Sequence, residues 1–315
     1  MNENRVPELS LADYLHGPPG SRDAFSAQLM RGLQRYGFII LRDHDVPAAL
    51  LDEAYALSVE LFAQPEETKR RYVGGPRGYV PFRTEQARAH AVPDLKEFWQ
   101  IGPERIDTAA ADDPTVRPNL WPVSPPRFRE TFSALFTALE ETGRVLLEAL
   151  APGLQLPPDY FAPLVAGGTS ILRLIHYPPV PADIEAGSVR SAPHEDINLI
   201  TLLVAAKGPG LELLDRDGTW LPVNADQKNA LIVDSGDMLA RMTNDVIPAT
   251  THRVVNPSGA NVSRYSMPFF MHPRSEVSLR CLPACVGSGA RYPEITAGAF
   301  LEQRLREIGL IKGPA

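Results

Sequence analysis

Cysteine is almost missing from this chain: two of its 315 residues, Cys281 and Cys285. That excludes a disulfide framework, and one bridge over so short a loop would add little. Both thiols are expected to stay reduced, as in a cytoplasmic protein. A Cys-x3-Cys zinc half-site would need a second Cys/His pair, and none stands nearby. No stretch approaches the roughly 18 apolar residues of a membrane helix. The opening MNENRVPELS has no apolar run behind a basic end, so no signal peptide is expected. With a formal net charge of -7 and no basic block, the chain lacks the footprint of a nucleic-acid binder. Internal repeats, low-complexity tracts and long linkers are also missing.

What is present is ordinary in bulk. Hydrophobic residues make up 44% and charged residues 22%, enough to bury a sizeable core. Proline is the exception, at 31 residues, many beside turn formers, which points to many short elements with tight connections. Ser21 is placed to cap a helix carrying Phe25, Leu29, Leu33 and Tyr36, with Gly37 to end it. FIIL (38–41) reads as a buried strand. Pro47 fits the first turn of a second helix, with Leu50, Ala54, Leu57 and Leu61 at helical spacing. Pro65 opens a shorter charged helix. The stretch 74–113 is irregular, with RGYVPF and EFWQIG as candidate strands and a lid as one use for it. A long helix runs from near Pro126 to Leu150, stopped by Pro152 and Gly153.

After residue 168 the pattern changes to strands: ILRLIHY (171–177), HEDINLITLLVAA, LELL, TWLPV, NALIVD, THRVV and VSRYSMPFFM. Asp217–Gly218 marks a hairpin turn and NPSGAN (256–261) another. Six or seven short strands in about 100 residues suggest an antiparallel sandwich or barrel. The tail returns to helix, with Phe300, Leu301, Leu305 and Ile308 on one stripe. The expected fold is mixed α and β, one domain over 1–315. Residues 1–168 are mainly helical and lend strands to the core, 169–275 form that core, and 276–315 form a C-terminal helical segment.

His194 and Asp196 stand two apart in a strand-like segment, so an imidazole and a carboxylate would project from one face while Glu195 points away. His252 opens another strand 56 residues after Asp196. Two histidines and one carboxylate make the facial triad of non-haem Fe(II) oxygenases, with three positions left open for co-substrate and O2. Alone, His-x-Asp arises by chance at exposed strand edges. Here the apolar run 197–206 puts the pair at the border of the core, where a carboxylate needs a compensating charge. Arg264 and Ser266 are again two apart in a strand, a planar fork and a hydroxyl suited to the far carboxylate of a dicarboxylate chelating the metal. Twelve residues and one turn separate Arg264 from His252, so a hairpin would set them on adjacent strands at similar height.

HEDINLITLL, GDMLARMTND, THRVV and RYSMPFF resemble the core of the isopenicillin N synthase-like Fe(II)/2-oxoglutarate dioxygenases. LQRYGFIILRDHDVP, LFAQPEETKRRY, LELLDRDGTWLPV and ITAGAFLEQRL extend the likeness over almost the whole chain. The resemblance implies a double-stranded β-helix, a distorted jelly roll, flanked by N- and C-terminal helices. It implies His194, Asp196 and His252 as iron ligands, and Arg264 with Ser266 as the grip on the distal carboxylate of 2-oxoglutarate. Tyr177, in HYPP, is similar to a tyrosine that helps hold a bound carboxylate. Many plant-type members carry asparagine two residues before that tyrosine; here it is Ile175. His176 between them reads as an outward strand residue facing away from Tyr177.

The implied reaction oxidises a small-molecule substrate by hydroxylation, desaturation or ring closure, consuming O2 and 2-oxoglutarate and releasing succinate and CO2. In isopenicillin N synthase itself the Arg-x-Ser pair grips the substrate, so an Fe(II) oxidase or oxidative cyclase without 2-oxoglutarate stays open. A non-catalytic jelly-roll binding protein would be free to lose one of these five polar groups, and a zinc hydrolase would have no use for the Arg/Ser pair. Phe270, with parts of RGYVPFRTE and KEFWQIG, is the expected pocket wall. Arg77, Arg83 and Lys96 are read as solvated or structural before substrate-binding, and Phe82, Phe98 and Trp99 as core.

Overall fold

The computed structural model describes residues 5–87, 92–104, 117–204, 208–224 and 229–307. Its first part mixes short strands with helices: β1 (Glu8–Ser10), α1 (Leu11–Leu15), α2 (Ser21–Tyr36), β2 (Phe38–Arg42), α3 (Ala48–Phe62) and α4 (Glu66–Arg70). α2 buries Phe25, Leu29 and Leu33, the stripe that its spacing predicts. Ser21 is its first residue rather than its cap; Gly20 holds the cap position, and the Ser21 hydroxyl donates to the carbonyls of Asp13 and Pro18. Pro47 stands just outside α3, as its N-cap, where the missing N–H costs nothing. β3 (Gly78–Val80) and β4 (Glu97–Ile101) are the two strands expected from the irregular stretch. Parts of that stretch, 88–91 and 105–113, lie outside the described residues, and so does any test of the lid reading.

α5 (Phe128–Leu150) buries Phe132, Leu135, Leu139, Leu146 and Leu150 along one side. Each such side chain contributes roughly 1.5–3 kcal/mol on burial. A one-turn α6 (Ala162–Val165) follows, and from residue 171 strands dominate: β5 (Ile171–Tyr177), β6 (Ser191–His194), β7 (Ile200–Val204), β8 (Leu211–Leu214), β9 (Trp220–Pro222) and β10 (Leu231–Ser235). A short helix that the sequence reading did not foresee, α7 (Asp237–Met242), precedes β11 (His252–Val254) and β12 (Arg264–Met271). α8 (Ala297–Glu307) closes the described chain and buries Phe300; Ile308, expected on the same stripe, lies outside it. Cys281 and Cys285 are both free.

Eight strands form one sheet in the order β1-β2-β10-β7-β12-β5-β4-β3, and four form a second in the order β6-β11-β8-β9. The large sheet has a different neighbour on each face, as period-2 alternation allows. Ile39, Leu41, Leu172, Leu174, Leu202 and Phe269 enter a core shared with α2, α3 and α5. Phe38, Ile40, Ile175 and Ile232 point the other way and pack on Leu211, Leu213 and Val254 of the small sheet. The result is the jelly roll buttressed by helices that the resemblance implies.

Two expectations about connection fail. HEDINLITLLVAA is not one strand: β6 ends at His194 in the small sheet, and β7 begins at Ile200 in the large one. Nor are His252 and Arg264 on hairpin partners, because β11 belongs to the small sheet and β12 to the large one. They meet across the sandwich instead.

Gly37 turns α2 into β2 at φ 65, and its carbonyl accepts from Ser235 N at 3.0 Å. A Cβ here would lie 2.1 Å from Thr250 Oγ1 and 3.2 Å from the Pro248 carbonyl. Gly37→Ala should therefore lower stability by about 2 kcal/mol, seen as an earlier urea midpoint at unchanged slope.

Candidate active site

β6 and β11 pair antiparallel with His194 directly opposite His252. Their rings lie 4.4 Å apart, centroid to centroid. Each ring is fixed the same way: His194 Nδ1 bonds the Ala192 carbonyl at 2.8 Å, and His252 Nδ1 bonds the Thr250 carbonyl at 3.1 Å. With Nδ1 protonated toward a carbonyl, each Nε2 keeps its lone pair for a metal. Burial, and then the neighbouring His252, push the His194 pKa down to about 4. A third of its side chain is exposed where it lines the cavity, and at that pKa the ring is neutral at ordinary pH.

Asp196 is not on the strand with His194, as the sequence reading had it. It lies in the passage from β6 to β7, where the chain crosses between sheets. Backbone bonds hold that passage against the start of α7: Asp237 N donates to Asp196 O at 2.8 Å and Met238 N to Asn198 O at 3.0 Å. Asp196 Oδ1 thereby comes 3.8 Å from both His194 Nε2 and His252 Nε2. One donor atom from each of the three residues lies within 4.8 Å of the others. Its Oδ2 accepts from the Thr201 hydroxyl, which is itself held by Asn198 Nδ2 at 2.8 Å. Asp234 of β10 stands beside them; burial and the Asp196 carboxylate hold its carboxyl well above the ordinary range. Glu195 turns away, as expected, and accepts from Thr251 at 2.9 Å.

Across the cavity, Arg264 sits opposite Tyr177 in the β12–β5 ladder, and Ser266 opposite Ile175. Tyr177, Arg264 and Ser266 line the same cavity as His194, Asp196 and His252. Arg264 is 5% exposed, and its Nε and Nη1 have no hydrogen-bond partner. Burial lowers its pKa. A buried guanidinium with idle donors is a receptor for a carboxylate. Two imidazoles and one carboxylate around a common point suit a divalent iron.

The other wall was read less well. Of the two readings of Lys96, solvated fails and structural holds: it is buried 2.8 Å from Glu85 and 2.7 Å from Asp94, and it also lines the cavity. Arg173 joins the cluster through Glu85 at 3.1 Å and lies over the rings of Phe98 and Phe270. Burial would raise the Glu85 pKa, but Arg173 and Lys96 outweigh it and bring it to about 2. Phe270 lines the cavity as expected, while Arg77 is buried elsewhere and Arg83 is exposed near Glu185. Phe98 and Trp99 are core, as read; Phe82 is half-buried. His176 does face away from Tyr177 but not outward: it is buried, bonded to Glu97 at 2.7 Å and stacked on Tyr265. Thr201, Asp234 and Arg173 were missed, although a charged residue inside an apolar strand was the available signal for the last two.

Two family models match this chain: "non-haem dioxygenase in morphine synthesis N-terminal" over residues 6–124, and "2OG-Fe(II) oxygenase superfamily" over 168–273. Proline hydroxylase buaE of Petromyces alliaceus is 35% identical over 95% of this chain and 98% of its own. The 2-oxoglutarate-Fe(II) type oxidoreductase hxnY of Emericella nidulans is 33% identical over 94% and 88%. Among solved structures, a 2OG-Fe(II) oxygenase family protein from Caulobacter crescentus has a TM-score of 0.85 at 42% identity, covering 96% of this chain and 99% of that one. A full-length Neurospora crassa protein crystallised in complex with alpha-KG (2-oxoglutarate) has a TM-score of 0.85 at 29% identity, covering 97% and 98%. Fold, cavity chemistry and relatives matched over nearly their whole length agree: the chain belongs to the 2-oxoglutarate- and Fe(II)-dependent oxygenase superfamily, isopenicillin N synthase-like, and is a dioxygenase that uses iron, 2-oxoglutarate and O2.

Proposed function

We propose that His194, Asp196 and His252 hold the iron, that Arg264, Ser266 and Tyr177 hold the distal carboxylate of 2-oxoglutarate, and that a small-molecule substrate is hydroxylated beside Phe270 and Arg173. The observation that carries this reading is the pairing, in one cavity, of a His/Asp/His cluster with an arginine whose buried donors are idle. When bound, Fe(II) with 2-oxoglutarate and O2 supplies the oxidising power: one oxygen atom goes to the substrate carbon, the other to succinate, and CO2 leaves.

The chain's own residues do the rest. The carbonyls of Ala192 and Thr250 fix the imidazole tautomers, and Thr201 fixes the carboxylate of Asp196. Asp196 contributes a negative charge, so that the anionic co-substrate and the dication together approach neutrality. Arg264 and Ser266 orient the co-substrate from the large sheet. Phe38, Leu203, Leu211 and Val254 line the cavity with apolar surface and restrict water. The Neurospora crassa relative has also been crystallised with alpha-KG and thymine together. A compact substrate of that scale suits a cavity that must also take the co-substrate. We read residues 1–315 as one oxygenase domain, working in the cytoplasm, where its two free cysteines stay reduced. Among the described residues no helix is long and apolar enough to cross a membrane.

Asp196→Ala should abolish stoichiometric Fe(II) binding in an anaerobic titration; an alanine variant that keeps iron and full turnover refutes the ligand assignment. Thr201→Val keeps the shape but frees Asp196 Oδ2, and Fe(II) affinity should drop roughly 10- to 100-fold. Arg264→Ala should leave iron affinity near wild type while 2-oxoglutarate binds roughly 10- to 100-fold more weakly. The readout is the visible charge-transfer band that the keto acid forms with iron.

A further inference from the structure

The cavity wall that carries Lys96 and Arg173 turns donors toward a ligand and keeps its acceptors behind them. Both cations line the cavity, whereas Glu85 and Asp94, which hold them, are buried and do not. Lys96 directs Nζ to Glu85 at 2.8 Å, to Asp94 at 2.7 Å and to Ser191 at 3.4 Å, so its three N–H groups are taken. Arg173 gives Nη1 to Glu85 at 3.1 Å and Nη2 to Gln100 at 3.0 Å, and its Nε has no hydrogen-bond partner. A guanidinium has five N–H donors, so Arg173 has donors left over. It lies 4.1 Å over the ring of Phe98 and 5.4 Å over that of Phe270, and Phe270 also lines the cavity. Two cations and two carboxylates make this wall neutral, and Arg173 and Lys96 keep Glu85 ionised at ordinary pH. The other end balances too: a dication and Arg264 stand against Asp196 and a dicarboxylate. A charged substrate would therefore lose its hydration in a site that offers no net counter-charge. An uncharged acceptor gives up less water and gains the unused donors of Arg173.

We propose that Glu85 sets the charge class of the substrate. By neutralising Arg173 and Lys96 from behind, it tunes the cavity to an uncharged molecule with a hydrogen-bond acceptor, a carbonyl or hydroxyl oxygen, beside an apolar or aromatic part. The acceptor meets Arg173 and the apolar part meets Phe270. This rests on the proposed iron and 2-oxoglutarate site, because the charge of the co-substrate is taken as balanced at the Arg264 end. Arg173 is the residue that touches the substrate. Glu85 stands off the cavity surface and acts through Arg173 and Lys96, as a positioning residue.

The test uses matched ring compounds, each as carboxamide and as carboxylate, with benzamide and benzoate first. Binding is measured by equilibrium dialysis against the anaerobic protein loaded with Fe(II) and saturating 2-oxoglutarate. The charge-transfer band of the keto acid checks that the co-substrate stays in place. Wild-type protein should bind the amides roughly tenfold or more tightly than the carboxylates. Glu85→Gln leaves the wall with a net positive charge, so carboxylate binding should strengthen by roughly tenfold while amide binding stays within about twofold. Carboxylates bound as well as amides by wild type, neither kind bound, or an unchanged ratio in Glu85→Gln overturns the proposal. Loss of both kinds in that variant means that Glu85 only holds Arg173 in place, and overturns it too. Should Glu85→Gln fail to fold, Arg173→Leu decides: a lost amide preference supports the proposal and a retained one overturns it. If wild-type protein binds iron but forms no band, the site assignment itself has failed and the proposal falls with it. A normal band with amides and carboxylates bound alike defeats the proposal alone.

Discussion

The register of one short antiparallel pair, β6 with β11, governs the whole cavity. It sets His194 against His252, and a slip of one residue in either strand would turn that strand's imidazole out of the recess. The pair is only a few residues long, so it cannot hold that register alone. Its support comes from β8 on the far side of β11 and from the apolar contacts of Val254, Leu211 and Leu213 with the large sheet. The proposed metal site is therefore as rigid as the packing between two sheets, and no single loop defines it.

Charge is distributed along the cavity with a clear asymmetry. On the Lys96 side, two cations and two carboxylates cancel within one hydrogen-bonded cluster. On the Arg264 side the buried guanidinium stands without a carboxylate partner among the described residues. A ligand with a carboxylate at one end finds one arrangement favoured, and the neutral side is left to shape and to individual hydrogen bonds. Asp234 adds a third element: burial and the Asp196 carboxylate beside it hold its carboxyl well above the ordinary range.

Much of this was legible in the sequence because period-2 and period-3.6 patterns survive folding intact. The stripe of α5, the doubly apolar FIIL of β2 and the alternating Arg264, Ser266, Phe270 face were read at the right places. Connection was harder. His-x-Asp looked like two neighbours on one strand, yet Asp196 reaches the histidines from a crossover; both geometries give the same spacing in sequence. The apolar run after it belonged to a different sheet, which periodicity cannot reveal. Lys96 was read only as solvated or structural, and its partners were not read at all, because only their meeting, from 85, 94, 96 and 173, makes burial tolerable. Pairings so far apart in the chain have no local signature.

The crossover at Asp196 has a consequence for how such an enzyme can change. All three proposed iron ligands lie in the small sheet or on the way out of it, while Phe270 and Arg173 belong to β12 and β5 inside the large sheet and Lys96 stands just before β4. The proposed iron ligands and the proposed substrate wall thus come from different sheets, while the co-substrate grip of Arg264, Ser266 and Tyr177 shares the large sheet with that wall. Substitutions on β4, and on the ends of β5 and β12 away from Tyr177 and Arg264, can reshape what is admitted without touching the proposed iron ligands.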